Sequence, residues 1–336
     1  MPPTPKPIRG SARGPRPYVL VYFGDNSGIP YTPDAASVLS KDPQWMELTR
    51  LFGPLRLLPA FRDVARMRRV IDRATENAKQ RGIEGYRPLA FDHYFVVPLP
   101  VAAKRPVFDL YCGLKKFVET RRGYAWFAMP NRPPMGSDRY LEPGHTTPGQ
   151  VSGIGAIALK GPGGGAIEGN GQRLVCVEKG WLYPDLDTVA PPIANLPAQL
   201  VDSVQDDDLG HGAAVLSIVL GGAGVTDLAG AAPGAKVTRA PFLDNSGVDF
   251  VPDTLYAAAD ALHNTGGAGG VILLEAQTWD GMPIESDPFT LKAIEDAELD
   301  GHIVIEPAGN RALDADGVGG VDLGGVTGYR LDQSGG

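Results

Sequence analysis

The sequence predicts an α/β fold: a mostly parallel, doubly wound sheet preceded by a small α+β region. Three observations lead there. Strand-type and helix-type runs alternate through the second half, as a parallel sheet with helices on both faces requires. The first half instead spaces three β-branched and aromatic runs around one amphipathic helical stretch. Between the halves, residues 130–171 concentrate proline and glycine, including Gly161-Pro-Gly-Gly-Gly165, and read as a linker with an extended lead-in to a second domain.

The elements follow in order. Residues 1–16, rich in Pro, Arg and Lys, form a flexible arm. The run Tyr18-Val-Leu-Val-Tyr-Phe23 is the first strand. From Arg62 to Gln80 the apolar residues Val64, Met67, Val70, Ile71 and Ala74 recur at threes and fours, which predicts a helix stopped near Gly82. Strands are expected at Tyr94–Pro98 and Tyr124–Ala128, with a short helix from Leu114 to Glu119 between them. The boundary falls near residue 145, giving a basic α+β domain over 17–145 and a second domain over 146–336. In the second, the alternating runs are Leu174–Val177, Ala213–Leu220, Lys236–Ala240, Thr254–Leu262, Val271–Leu274, Pro288–Leu299 and Ile303–Ile305.

Bulk properties bound the function. A chain of 336 residues exceeds the length at which one core stops growing, and 43% hydrophobic with 21% charged residues is a soluble globular composition. The net charge of −8 is divided unevenly: residues 1–150 carry 23 basic and 13 acidic side chains (+10), and the rest carry 8 and 26 (−18). Opposite fields of that size favour intramolecular docking of one part on the other. A basic module meeting nucleic acid is the lesser alternative, since the aromatics of that half lack the signature of an RNA-binding sheet. No apolar stretch is long enough to span a membrane, and the N-terminus lacks the apolar core of a signal peptide; the sequence leaves localisation open between a cytoplasmic and a non-classically exported protein. Two cysteines, Cys112 and Cys176, make no disulfide framework. The glycine run precedes a strand instead of following one, which argues against a phosphate-binding turn.

The chemistry-bearing segments lie in the second half. Asp206-Asp-Asp-Leu-Gly-His211-Gly places a histidine at the first turn of an apolar helix, where open α/β folds expose their sites. Alone this is ordinary helix punctuation. Three more segments follow the same order, and together they resemble the subtilisin-like serine peptidase family. Gly210-His211-Gly212-Ala213-Ala214-Val215-Leu216-Ser217 is similar to its Gly-His-Gly-Thr-x-Val-Ala-Gly, and Gly230-Ala231-Ala232-Pro233-Gly234-Ala235-Lys236-Val237 to its Gly-Val-Ala-Pro-x-Ala-x-Val. Ile305-Glu306-Pro307-Ala308-Gly309-Asn310 resembles Val-x-Ala-Ala-Gly-Asn, and Val175-Cys176-Val177-Glu178-Lys179-Gly180-Trp181 the strand end that bears the catalytic Asp.

The resemblance covers about 150–336 and implies a serine endopeptidase acting on protein or peptide substrates, with His211 as general base and Asn310 as oxyanion donor. Residues 1–130 would occupy the place of the family's propeptide. Leu274, Glu275, Ala276 and Gln277 match the strand whose exposed edge pairs with extended substrate. No cofactor is implied; a structural calcium ion is compatible but has no readable signature. The sequence departs from the family at the carboxylate, where Asp-x-Gly is replaced by Glu178-Lys179-Gly180; Glu178 is the candidate, with Asp185 and Asp187 in reserve. Cys176 with Glu178 and His211 as a thiol or metal site is the weaker reading beside a buried strand cysteine. The family's Gly-Thr-Ser-x-Ala is absent, and Ser334 has no following helix, so this chain alone is expected to hydrolyse peptides only at background rate. The competing reading is a non-catalytic pseudoprotease that binds extended peptides.

Overall fold

The computed structural model describes residues 16–24, 27–128, 168–178, 194–195, 211–220, 231–242, 248–278 and 281–307. Most of the expected arm, the boundary near 145, Asn310, Asp185, Asp187 and Ser334 lie outside them. The described chain holds an antiparallel sheet and a parallel sheet, each with helices: a mixed α/β architecture.

The N-terminal unit runs β1 (Tyr18–Tyr22), α1 (Pro43–Phe52), β2 (Leu58–Pro59), α2 (Val64–Gln80), β3 (Tyr94–Pro98), α3 (Val107–Glu119) and β4 (Tyr124–Ala128). Its antiparallel sheet has the order β2-β3-β1-β4, with Val19 opposite both Val97 and Phe127. β1 has no polar face because both faces are buried. Val19 and Val21 cluster with Trp45, Leu48, Leu110, Leu114 and Phe117 of α1 and α3, while Tyr18 and Leu20 face the second unit.

Two helices differ from the sequence expectation. α1 was not anticipated, although Asp42 caps it by accepting from the amides of Gln44 (2.9 Å) and Trp45 (3.1 Å), and Pro43 occupies its first turn. α3 begins at Val107 instead of Leu114. Gly113 reads as a helix breaker, but a Cβ there would lie 2.5 Å from Leu48 Cδ2, so this glycine lets α1 and α3 touch.

The second unit runs β5 (Arg173–Glu178), β6 (Ala194–Asn195), α4 (His211–Leu220), β7 (Lys236–Pro241), α5 (Val251–Gly266), β8 (Val271–Leu274), α6 (Pro288–Leu299) and β9 (Ile303–Ile305). The strand order is β6-β7-β5-β8-β9 and every pairing is parallel. Residues of opposite parity on β5 serve opposite layers: Val175 and Val177 pack with α5 and α6, and Cys176 packs with Leu216 of α4 and Val237. Burial on both faces is why the strand is apolar from Leu174 to Val177.

The units meet along α2, α5 and α6. Phe61 stacks edge-on against Phe250 and Tyr256, and Phe289 against Tyr94 and Trp126, within one core. Beside it runs a charge ladder. Arg62 binds Asp253 (2.5 Å), Arg69 binds Asp260 through two bonds (3.1 and 2.6 Å), and Arg73 binds Asp300 through two bonds of 2.7 Å. Asp253 and Asp260 lie seven residues apart, as do Arg62 and Arg69, so α2 and α5 run in the same direction. All three aspartates are buried. Burial alone would raise the Asp260 carboxyl, but the Arg69 and Arg73 guanidiniums hold it below its ordinary range.

Asp260→Asn takes the partner from Arg69 and loosens Arg73, and is expected to lower the unfolding free energy by about 1–3 kcal/mol in urea titrations. Glu47→Gln, which breaks an exposed pair with Arg50, should leave stability unchanged; equal effects of the two substitutions would show that the ladder contributes nothing.

Candidate active site

The site follows from strand parity. Cys176 faces α4, so Glu178, two residues on, projects from the same face at the carboxyl end of β5. α4 consists of His211-Gly-Ala-Ala-Val-Leu-Ser-Ile-Val-Leu, mostly apolar after its first residue, and packs on the sheet through Leu216 while Ile218 stays exposed. Its carbonyls at Ile218 and Val219 accept from the amides of Ala231 and Ala232, so the Ala-Ala-Pro-Gly turn that leads into β7 also closes the helix. The opposite end of α4 is thereby held above the end of β5.

His211 is the first residue of α4, and its Nδ1 lies 2.5 Å from Oε2 of Glu178. The glutamate is wholly buried, whereas the imidazole side chain keeps 14% of its surface exposed. With Glu178 ionised, the shared proton belongs to Nδ1, and Nε2 is left as the basic nitrogen. A buried carboxylate that fixes ring and tautomer, on an imidazole open to solvent, is the arrangement needed for general base catalysis.

Glu275 follows β8 and continues its pairing, donating from its amide to the Val177 carbonyl (2.9 Å). It stands beside Glu178 in the register. Burial holds the Glu275 carboxyl above its ordinary range, the charge of Glu178 adds to that, and His211 offsets part of it. This second acid next to the pair was expected only as a recognition residue.

The expected substrate-pairing segment, Leu274 to Gln277, begins where the β8–β9 pairing stops. β8 lies between β5 and β9, and residues 271–273 pair on both edges, whereas Leu274 pairs with Val177 of β5 and has its side chain buried against the α5 and α6 layer. Ala276 and Gln277 are also buried, and Gln277 forms a bridge with Pro283 as the chain turns back at Thr278 to Met282. Hydrogen bonds drawn toward a free edge can come only from Leu274 onward, because the part of a parallel strand with two neighbours has no spare ladder. Cys176 is buried in the core between β5, β7 and α4.

A third carboxyl, Glu306, follows β9. Val304 packs on the α5 and α6 side, so Glu306 shares that face and stands away from His211. Burial first, and then the negative charges of Glu285 and Glu298, push it up to about 9.

No protein-family model matches the chain, and no curated protein matches it. Among solved structures, fervidolysin from Fervidobacterium pennivorans, a keratinolytic enzyme related to subtilisin, is similar at 14% identity with a TM-score of 0.42. The match covers 91% of this chain and 41% of that one, so the chain spans well under half of the fervidolysin chain. At that level the likeness carries no activity over.

Two outcomes are expected here. A double-mutant cycle of His211→Ala and Glu178→Gln in urea should return a coupling of about 1–3 kcal/mol; additive effects would mean that the 2.5 Å contact has no energetic weight. For Glu306, whose folded value lies above its ordinary 4.5, the stabilising contribution is complete at pH below 4.5 and is lost as pH rises toward about 9. Unfolding free energy should therefore fall across that window, by at most ~1.4 kcal/mol per pH unit, and Glu306→Gln should remove this part of the slope.

Proposed function

We propose that this chain belongs to a serine endopeptidase of the subtilisin-like type, with His211 as general base, Glu178 as its orienting carboxylate and Asn310 as oxyanion donor. The reading rests on one observation: the only histidine of the Gly-His-Gly segment meets the carboxylate that sequence reasoning singled out, 33 residues earlier, at 2.5 Å. A glutamate can replace the usual aspartate in this role, as acyl hydrolases with Ser-His-Glu triads demonstrate. In the reaction, a serine hydroxyl loses its proton to Nε2 of His211 while attacking the peptide carbonyl. Glu178 stabilises the imidazolium that forms, and the ring returns the proton to the leaving amine. Asn310 would donate to the oxyanion; one such donor is worth roughly a hundred- to a thousandfold in turnover.

No serine of this sequence is assigned as nucleophile, because Gly-Thr-Ser-x-Ala does not occur between Met1 and Gly336. On this reading the N-terminal unit takes the place of a propeptide, docked on α5 and α6. Substrate would be an extended peptide recognised through main-chain bonds near Glu275, where the side-chain demands on sequence are few.

The test is hydrolysis of casein by the protein expressed from its complete reading frame. His211→Ala and Glu178→Ala are each expected to reduce kcat by on the order of 10⁴–10⁶-fold. Undiminished activity in His211→Ala would sink the proposal. Stoichiometric labelling of residues 1–336 alone by a fluorophosphonate probe would instead overturn the expectation that this stretch holds no nucleophilic serine.

A further inference from the structure

We infer that His263, Asp300 and His302 form a three-ligand site for a divalent metal ion of the Zn²⁺ class, where α5 and α6 end beneath α2. The local chain path builds it. α5 closes with the Gly267 amide donating to the His263 carbonyl (2.7 Å), so His263 stands on its last turn. α6 closes in a Schellman turn: Gly301 takes φ +93°, its amide donates to Glu298, and the His302 amide donates to Ala297. A Cβ at position 301 would lie 2.6 Å from Ala268 Cβ, so glycine is required there and sets Asp300 and His302 on either side of the turn.

Three observations point to a cation. His302 has a wholly buried side chain, yet neither of its ring nitrogens has a hydrogen-bond partner, and the buried Nδ1 of His263 has none either. Buried polar atoms of this kind are normally satisfied. His263 Nδ1 lies 3.4 Å from Oδ1 of Asp300, and His302 Nε2 lies 3.6 Å from Oδ2. Ligands bonded at about 2.0–2.1 Å to a tetrahedral ion stand roughly 3.4 Å apart; the two contacts use different oxygens, but one donor atom from each of the three residues lies within 4.8 Å of the others, which gathers them within reach of one ion. Finally, two helix carboxyl ends converge on the cluster, each equivalent to about half a negative charge.

Two imidazole nitrogens and one carboxylate suit Zn²⁺ or Co²⁺; Ca²⁺ and Mg²⁺ prefer all-oxygen sets. Three protein ligands leave a position for water. Arg73 grips both oxygens of Asp300 from the α2 side, which orients the carboxylate as outer hydrogen bonds to metal ligands do. The ion would therefore share a ligand with the joint between the two units. The guanidinium charge opposes that of the ion, so micromolar affinity is expected in place of the tight binding of a structural zinc.

Calorimetric titration of the whole chain with Zn²⁺, and visible absorption on titration with Co²⁺, test the site. One ion per chain with a four-coordinate Co²⁺ spectrum is expected, weakened about tenfold or more by His263→Ala and by His302→Ala and unchanged by His93→Ala. His263 is one-third exposed, so its removal spares the fold and keeps the experiment decisive if His302→Ala fails to fold. Absence of one-to-one binding, a six-coordinate spectrum, or binding that persists in His263→Ala overturns the assignment.

Discussion

Everything in the described architecture leans on the burial of three aspartates, Asp253, Asp260 and Asp300, against Arg62, just before α2, and Arg69 and Arg73 on it. A buried carboxylate without a cation is costly enough that it would either take up a proton or drive the surfaces apart. The arginines remove that cost, and the aromatic contacts of Phe61 and Phe289 then close over apolar surface on both sides. α5 is consequently held from two directions, by α2 above and by the parallel sheet below. That is why it is buried along almost its entire length and carries Asp253, Thr254 and Asp260 inside the structure.

The second constraint is strand parity. A strand covered on both faces accepts polar side chains only where the covering layers end, and β5 reaches that point at Glu178. The residue falls on the α4 face by alternation alone, two positions past Cys176. α4 supplies the opposing group because its first residue is the only polar one near that end. The pair is therefore a product of two apolar elements meeting with one charged residue each at a shared rim, and its polarity is concentrated at the point where the core stops.

Much of this was legible in the sequence, and the failures have identifiable causes. α2 follows from periodicity, its buried residues recurring at helical spacing, whereas β1, β3 and β5 were legible as short continuous β-branched and aromatic or aliphatic runs, because strands buried on both faces carry no alternation. α1 was missed although Asp42-Pro43 is a helix start followed by Trp45, Leu48 and Phe52 at helical spacing. α3 was cut short because Gly113 satisfies a contact with Leu48 that no local rule contains. At the site, His211 and Glu178 could be paired from motif order, but the pairing of residues 271–273 on both edges could not be foreseen, because strand order is a property of the whole sheet. The cluster of His263, Asp300 and His302 left no sequence signal: its members come from two helix ends brought together by a glycine turn.

The two faces of the parallel sheet separate two tasks. α5 and α6 cover the face that bears Val175 and Val177, and the N-terminal unit docks on the outside of those helices. Glu178 and His211 occupy the other face. The described joint therefore does not touch the imidazole, and its contribution is to the stability of α5 and α6, which cover one face of the sheet that carries Glu178. A unit docked in this way can assist folding without obstructing chemistry; obstruction of His211 would require chain that reaches the carboxyl rim itself. The acidic second half carries an excess of carboxylates that repel one another in the compact state, and Arg62, Arg69 and Arg73 relieve that repulsion at the buried Asp253, Asp260 and Asp300.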